Sequence, residues 1–114
     1  MASSNHPDWR QNLEQVMTET ARVLKPGGTM VIFETMGTGT EKPEPPDFLR
    51  NYYILLEKEY HFAHTLARLD YDFAHIDEAE QLTRFFFGDV LADQVKERNQ
   101  VHLPEWAGVW WRDF

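Results

Sequence analysis

The chain has no cysteine. That excludes disulfides, thiolate zinc sites, iron–sulfur clusters and cysteine nucleophiles. A chain without disulfides fits a reducing compartment, and the expected location is cytoplasmic. No apolar run approaches the ~20 residues that a bilayer-spanning helix needs. No basic segment followed by an apolar one opens the chain, so no secretory signal is read. Basic residues are few: 11 Lys and Arg stand against 19 Asp and Glu, a formal charge of −8. Nucleic-acid backbones and anionic lipids require a basic face, so neither is an expected partner. The 114 residues allow one small domain and not two.

Aromatic residues are plentiful, with 4 Trp, 4 Tyr and 8 Phe. Large rings fill the core of a small domain economically, and that is their expected use. The other use is a surface cluster at an interface or against a flat ligand.

Residues 1–6 are small and polar and read as a flexible leader; residues 7–114 form a single α/β domain. Trp9, Leu13, Val16, Met17, Thr20 and Leu24 make one helical stripe, which predicts a helix from Pro7 to Leu24. Lys25-Pro-Gly-Gly28 stops it, with Pro26 and Gly27 suited to the centre of a type II turn. Thr29-Met-Val-Ile-Phe-Glu34 is short, β-rich and apolar without alternation. Such a run reads as a strand buried on both faces, as in a parallel sheet.

Residues 35–46 form a loop that holds Gly37, Gly39 and three prolines. Asp47 caps a helix to about Tyr60, with Phe48, Leu49, Tyr52, Tyr53, Leu56 and Tyr60 as its apolar stripe. Ala67, Leu69, Tyr71 and Phe73 alternate with polar residues, which predicts a strand over 62–73 with one wet face. Asp77 and Glu80 resemble a capping box at the start of a third helix. Gly88 interrupts that helix, and Asp89 caps another to about Asn99. Val101 to Leu103 and Ala107 to Arg112, split by Pro104, form the last strand or hairpin.

Val23-Leu-Lys-Pro-Gly-Gly28 followed by Thr29-Met-Val-Ile-Phe-Glu34 resembles the C-terminal half of a class I S-adenosylmethionine-dependent methyltransferase. In that family a helix ends in such a turn and leads into the fifth strand of a Rossmann-like sheet. Thr83-Arg-Phe-Phe-Phe-Gly88 and Pro104-Glu-Trp-Ala-Gly-Val-Trp-Trp111 resemble later segments of one bacterial branch. The likeness runs from Asp8 to Arg112 and implies a partial Rossmann-like α/β fold of three or four strands.

The family binds its cofactor with its N-terminal half, through a Gly-rich turn and an acidic residue at the second strand. Neither can be placed here. No cofactor is therefore expected for this chain alone, and no metal. Gly37-Thr-Gly39 is a weak substitute, because no helix N-terminus follows it to meet an anion. The resemblance implies that Glu34 and Thr35 face an acceptor pocket covered by residues 35–60. Tyr52, Tyr53, His61 and His64 are then candidate acceptor-side residues, and Glu34 a candidate base. The tyrosines lie on the apolar stripe of their helix, and core is the stronger reading for them. The two histidines, three apart at a helix–strand junction, imply no metal geometry.

A fifth strand without its fourth-strand neighbour exposes a row of N–H and C=O groups. A homodimer through the edge of Thr29–Glu34 is expected, or a missing N-terminal half supplied by another chain. In the other arrangement strand 62–73 covers that edge in a monomer. Two C-terminal pairings stay open: 62–73 with 101–112, or a tight hairpin of 101–103 with 107–112. Three functions follow: a half-domain without catalysis; a methyltransferase for a small acceptor once an assembly completes the site; or a small-ligand or protein-binding module. The last would use a groove lined by Tyr52, Tyr53 and the tryptophans.

Overall fold

Leu13 and Met17 lie one helical turn apart and are both buried, which fixes the inner face of α1 (Trp9–Val23). The helix gives way to the turn that the sequence predicts. Gly27 adopts φ 80°, and the Gly28 N–H donates to the Lys25 carbonyl at 2.8 Å. A type II turn requires that positive φ at its third residue. The computed structural model describes residues 3–114, so part of the predicted leader lies outside the described residues. Ser4 is not loose: its N–H and its hydroxyl both donate to the Phe48 carbonyl, at 2.7 and 3.1 Å.

The chain continues through β1 (Thr29–Thr38), α2 (Asp47–Lys58), β2 (Ala63–Arg68), β3 (Tyr71–Asp72), α3 (Ile76–Phe87), α4 (Asp89–Glu97), β4 (His102–Leu103) and β5 (Glu105–Asp113). This is a mixed α/β fold with four helices and a small antiparallel sheet of order β1-β5-β2; β3 and β4 form a second ladder. There are thus five strand segments, where three or four were expected.

Of the two C-terminal pairings, the first is the one present. Ala63 to Arg68 run opposite Trp111 to Trp106, and Tyr71 and Asp72 run opposite Leu103 and His102. Hydrogen bonds from Leu69 N–H to the Glu105 carbonyl (3.0 Å) and from Phe73 N–H to the Val101 carbonyl (2.8 Å) join the two ladders. The result is one long ribbon with α3 and α4 in its connection. Because β5 lies between β1 and β2, strand 62–73 does not cover β1. The outer edge of β1 has no strand partner among the described residues.

Two expectations for β1 are corrected. It is antiparallel to β5 along its whole length, and it runs four residues beyond Glu34. Gly37 permits the extension: its φ of 128° takes up the register slip between Thr35 and Thr38. Nor is the strand buried on both faces. Ile32 and Trp110 pair in register and face a core built with Leu13, Met17, Leu49, Tyr52, Tyr53 and Leu56. The opposite face carries Val31, 49% exposed, directly across from the exposed Trp111, and Phe33, 66% exposed. Both sheet-packing helices contribute to the Ile32 core, so the second face stays bare, as an antiparallel sheet permits.

Helix starts also move. His75 caps α3: its Nδ1 accepts from the Glu78 N–H at 3.1 Å, while Glu78 Oε1 accepts from the Ala74 N–H at 3.4 Å. That reciprocal box displaces the Asp77–Glu80 pair read from sequence. Pro46 and Gly88, not Asp47 and Asp89, occupy the cap positions of α2 and α4. Asp89 instead binds Arg84 at 2.8 Å. A second cluster of Ala79, Val95 and Leu103 holds α3 and α4 to the ribbon.

The dimensions are those of an extended body. The radius of gyration is 16.7 Å, against about 13 Å for a compact domain of this length. The chain exposes 7506 Å², against about 6500 Å² for a compact monomer of its mass.

Candidate functional site

The middle of β1 gathers four of the six residues singled out in the sequence. Glu34 and Thr35 sit opposite Gly108 and Ala107 of β5. Tyr52 and Tyr53 reach them from α2: the Tyr52 hydroxyl donates to Glu34 Oε1 at 3.2 Å, and the Tyr53 hydroxyl to the Thr35 carbonyl at 2.6 Å. Adjacent residues on one helix turn serve adjacent residues on one strand. Both rings are buried, and Tyr53 stacks on Trp110 with centroids 4.5 Å apart. Burial first, and the Glu34 carboxylate second, push both phenols well above their ordinary pKa. They stay protonated donors. They also do not line a groove, because together with Trp110 they form the core.

The two histidines go elsewhere. His61 is exposed and lies three residues past the end of α2, with φ 59°. His64 is on β2, its ring stacked on Trp110 at 4.5 Å and its Nδ1 3.5 Å from Glu57 Oε1. Neither joins the Glu34–Thr35 group, and among the described residues no group of side chains has metal-binding geometry.

A second polar group, not read from the sequence, adjoins the first. Glu105 opens β5 and is only 7% exposed. Its Oε1 accepts from the Thr35 hydroxyl at 3.0 Å, and that hydroxyl accepts from the Gly37 N–H at 3.3 Å. Its Oε2 is buried without a hydrogen-bond partner. Its own N–H donates to Asp70 Oδ1 at 2.9 Å. Asp70 in turn holds Arg68 through two hydrogen bonds, of 2.8 and 2.6 Å, and His102 Nε2 at 3.0 Å. His102 Nδ1 lies 2.5 Å from Asp72 Oδ1. Arg68, the Glu105 N–H and His102 hold the Asp70 carboxyl well below the usual range. The hydrogen bonds that the His102 ring donates to Asp72 and then to Asp70 raise its pKa. Glu105 was legible in principle, as the lone charge inside the apolar run Leu103 to Trp111. The Asp70–His102 contact was not, since it depends on strand register.

An open cleft of about 890 Å³ adjoins Glu105, between residues 35–50 and α4. Gly37 and Gly39 line it but form no nucleotide cradle. A Cβ on Gly37 would stand 2.7 Å from Thr40 Oγ1 and 2.9 Å from the Glu44 backbone nitrogen. A Cβ on Gly39 would stand 2.7 Å from Leu91 Cδ1. The space that these glycines leave is taken by the chain itself. Among the described residues no helix is long and apolar enough to cross a membrane.

Compared with protein-family models, with curated proteins and with solved structures, the chain has no match.

Proposed function

We propose that this chain is a methyltransferase-related, Rossmann-like half-domain of the cytoplasm that neither binds S-adenosylmethionine nor catalyses transfer alone, and that pairs with a second copy of itself. One observation carries the reading. The strand entered from the Lys25–Gly28 turn has an open edge on one side and a bare apolar face carrying Val31, Phe33 and Trp111. An apolar strand with an unpaired edge is a template for another chain. The excess exposed area of about 1000 Å² matches the ~800 Å² that each partner buries in a standard interface. The ribbon ends the sheet in an antiparallel pair, as the resembled family does.

Calorimetric titration with S-adenosylhomocysteine tests the cofactor half of this reading. No heat and no thermal shift are expected. Saturable binding at one site per chain overturns it.

A second reading gives the completed assembly a methyl-transfer activity on a small acceptor. The convergence of Glu34, Thr35, Tyr52 and Tyr53 on one stretch of β1 favours it. Methyl transfer that appears only when a separate N-terminal half is supplied would establish this second reading over the first.

A further inference from the structure

We propose that the cleft beside Glu105 binds a small organic cation, an ammonium or amidinium on an apolar body, with the Glu105 carboxylate as its partner. This inference does not rest on the methyltransferase reading.

Glu105 is more than nine-tenths buried, and one of its two carboxylate oxygens has no hydrogen-bond donor. Burying an acceptor unpaired costs about 1–3 kcal/mol, so a fold that keeps one there has a donor to gain from a ligand. The carboxylate is also oriented. Thr35 holds Oε1, and both backbone groups of Glu105 are hydrogen-bonded, the N–H to Asp70 and the carbonyl to Leu69. A group held at one carboxylate oxygen and at both backbone groups loses little freedom on binding.

The walls select the sign of the ligand. Glu44, Asp47 and Glu105 line the cleft against a single basic residue, Arg50. That arginine is already engaged, its Nε 2.9 Å from Asp47 Oδ1. This pair also answers the N-terminus of α2, which would otherwise attract an anion. Tyr71, Phe87, Val90 and Leu91 give the cleft apolar lining. A carboxylate beside aromatic and aliphatic surface suits a cation with an apolar body.

Phenethylamine is the probe, with 2-phenylethanol and 3-phenylpropionate as its neutral and anionic counterparts. In ¹H–¹⁵N NMR titrations the amine is expected to give saturable shifts at Gly37, Gly39 and Leu91, and the counterparts none. Glu105→Gln keeps an acceptor for Thr35 and removes the charge; affinity is expected to fall at least about tenfold. Val90 is exposed on the rim. Val90→Lys therefore leaves the fold intact and is expected to weaken amine binding by repulsion, which keeps the test decisive if Glu105→Gln does not fold. Equal shifts with the alcohol, no saturable shift with the amine, or unchanged affinity in the folded variants overturns the proposal.

Discussion

The indole of Trp110 lies directly over the backbone of Gly108, two residues back on the same face of β5. A Cβ at position 108 would stand 2.5 Å from Trp110 Cζ3 and 2.9 Å from Met36 Cγ. The glycine is there to let the largest core side chain lie flat between α2 and the sheet. Gly108→Ala forces that ring out of place and is expected to cost about 2 kcal/mol, the range of overpacked cores. Urea unfolding followed by tryptophan fluorescence measures it. An unchanged midpoint would show that the ring is free to move.

The tyrosines set an alkaline limit. All four are raised above the ordinary phenol pKa, in each case mainly by burial. A raised folded pKa means that stability is complete below the unfolded value of ~10 and is lost as pH climbs above it. Spectrophotometric titration is expected to show Tyr52 and Tyr53 ionising only as the fold opens. Tyr52→Phe removes the hydroxyl that binds Glu34 and is expected to cost about 1.5 kcal/mol. A normal phenol midpoint for all four rings would contradict this.

His102 and Asp70 give the ribbon a pH window. The raised His102 pKa contributes stability that is complete below ~6.5 and fades as pH rises through the folded value. The lowered Asp70 pKa contributes stability present above ~4 and lost as pH falls through its folded value. His102→Asn is therefore expected to lower the melting temperature at about pH 5.5 and to matter much less at about pH 9. NMR titration of the ring checks the cause directly, since its midpoint should lie above the ordinary imidazole value of ~6.5.

Phe33 reports on association. It is two-thirds exposed, on the edge strand and on the bare face. Phe33→Lys places a charge on both and touches no residue of the buried core. Sedimentation is expected to show the unaltered chain as a dimer and the variant as a monomer with an unchanged melting profile. A monomeric unaltered chain would remove the proposed partner.

Elements set by local periodicity were legible. Helices α1 and α2 and the Pro26–Gly27 turn lie where the sequence predicts them, because neighbouring residues decide them; of the predicted stripes Val16 and Phe48 are exposed, and Leu55 is buried in addition. What failed depended on partners far along the chain. Met30 to Phe33 read as buried on both sides because they are uniformly apolar; only the packing of both α1 and α2 on one face shows that Val31 and Phe33 are left out. The α3 cap moved because His75 competes with Asp77, and a histidine acceptor at a helix start is an uncommon signal. Of the site, Glu34, Thr35, Tyr52 and Tyr53 were legible as neighbours. Glu105 was legible only as a lone charge in an apolar run; its bond to Asp70 and the Asp70–His102 contact were not, since a ribbon register joins residues some thirty positions apart.

The same ribbon dictates an order of assembly. Residues 62–73 meet 101–113 once α3 and α4 have formed between them, a comparatively local event. β1 has no such neighbour: Thr29 lies opposite Asp113, 84 positions along the chain. Closing a loop of that length costs about 4 kcal/mol of chain entropy before any contact repays it. During synthesis the six residues from Thr29 to Glu34 are complete well before β5 exists, and for that interval they are an apolar strand with two open edges. Chaperone binding and misassembly during folding should concentrate there, and faster maturation should follow from changes that speed β5 pairing rather than from changes that strengthen the helices.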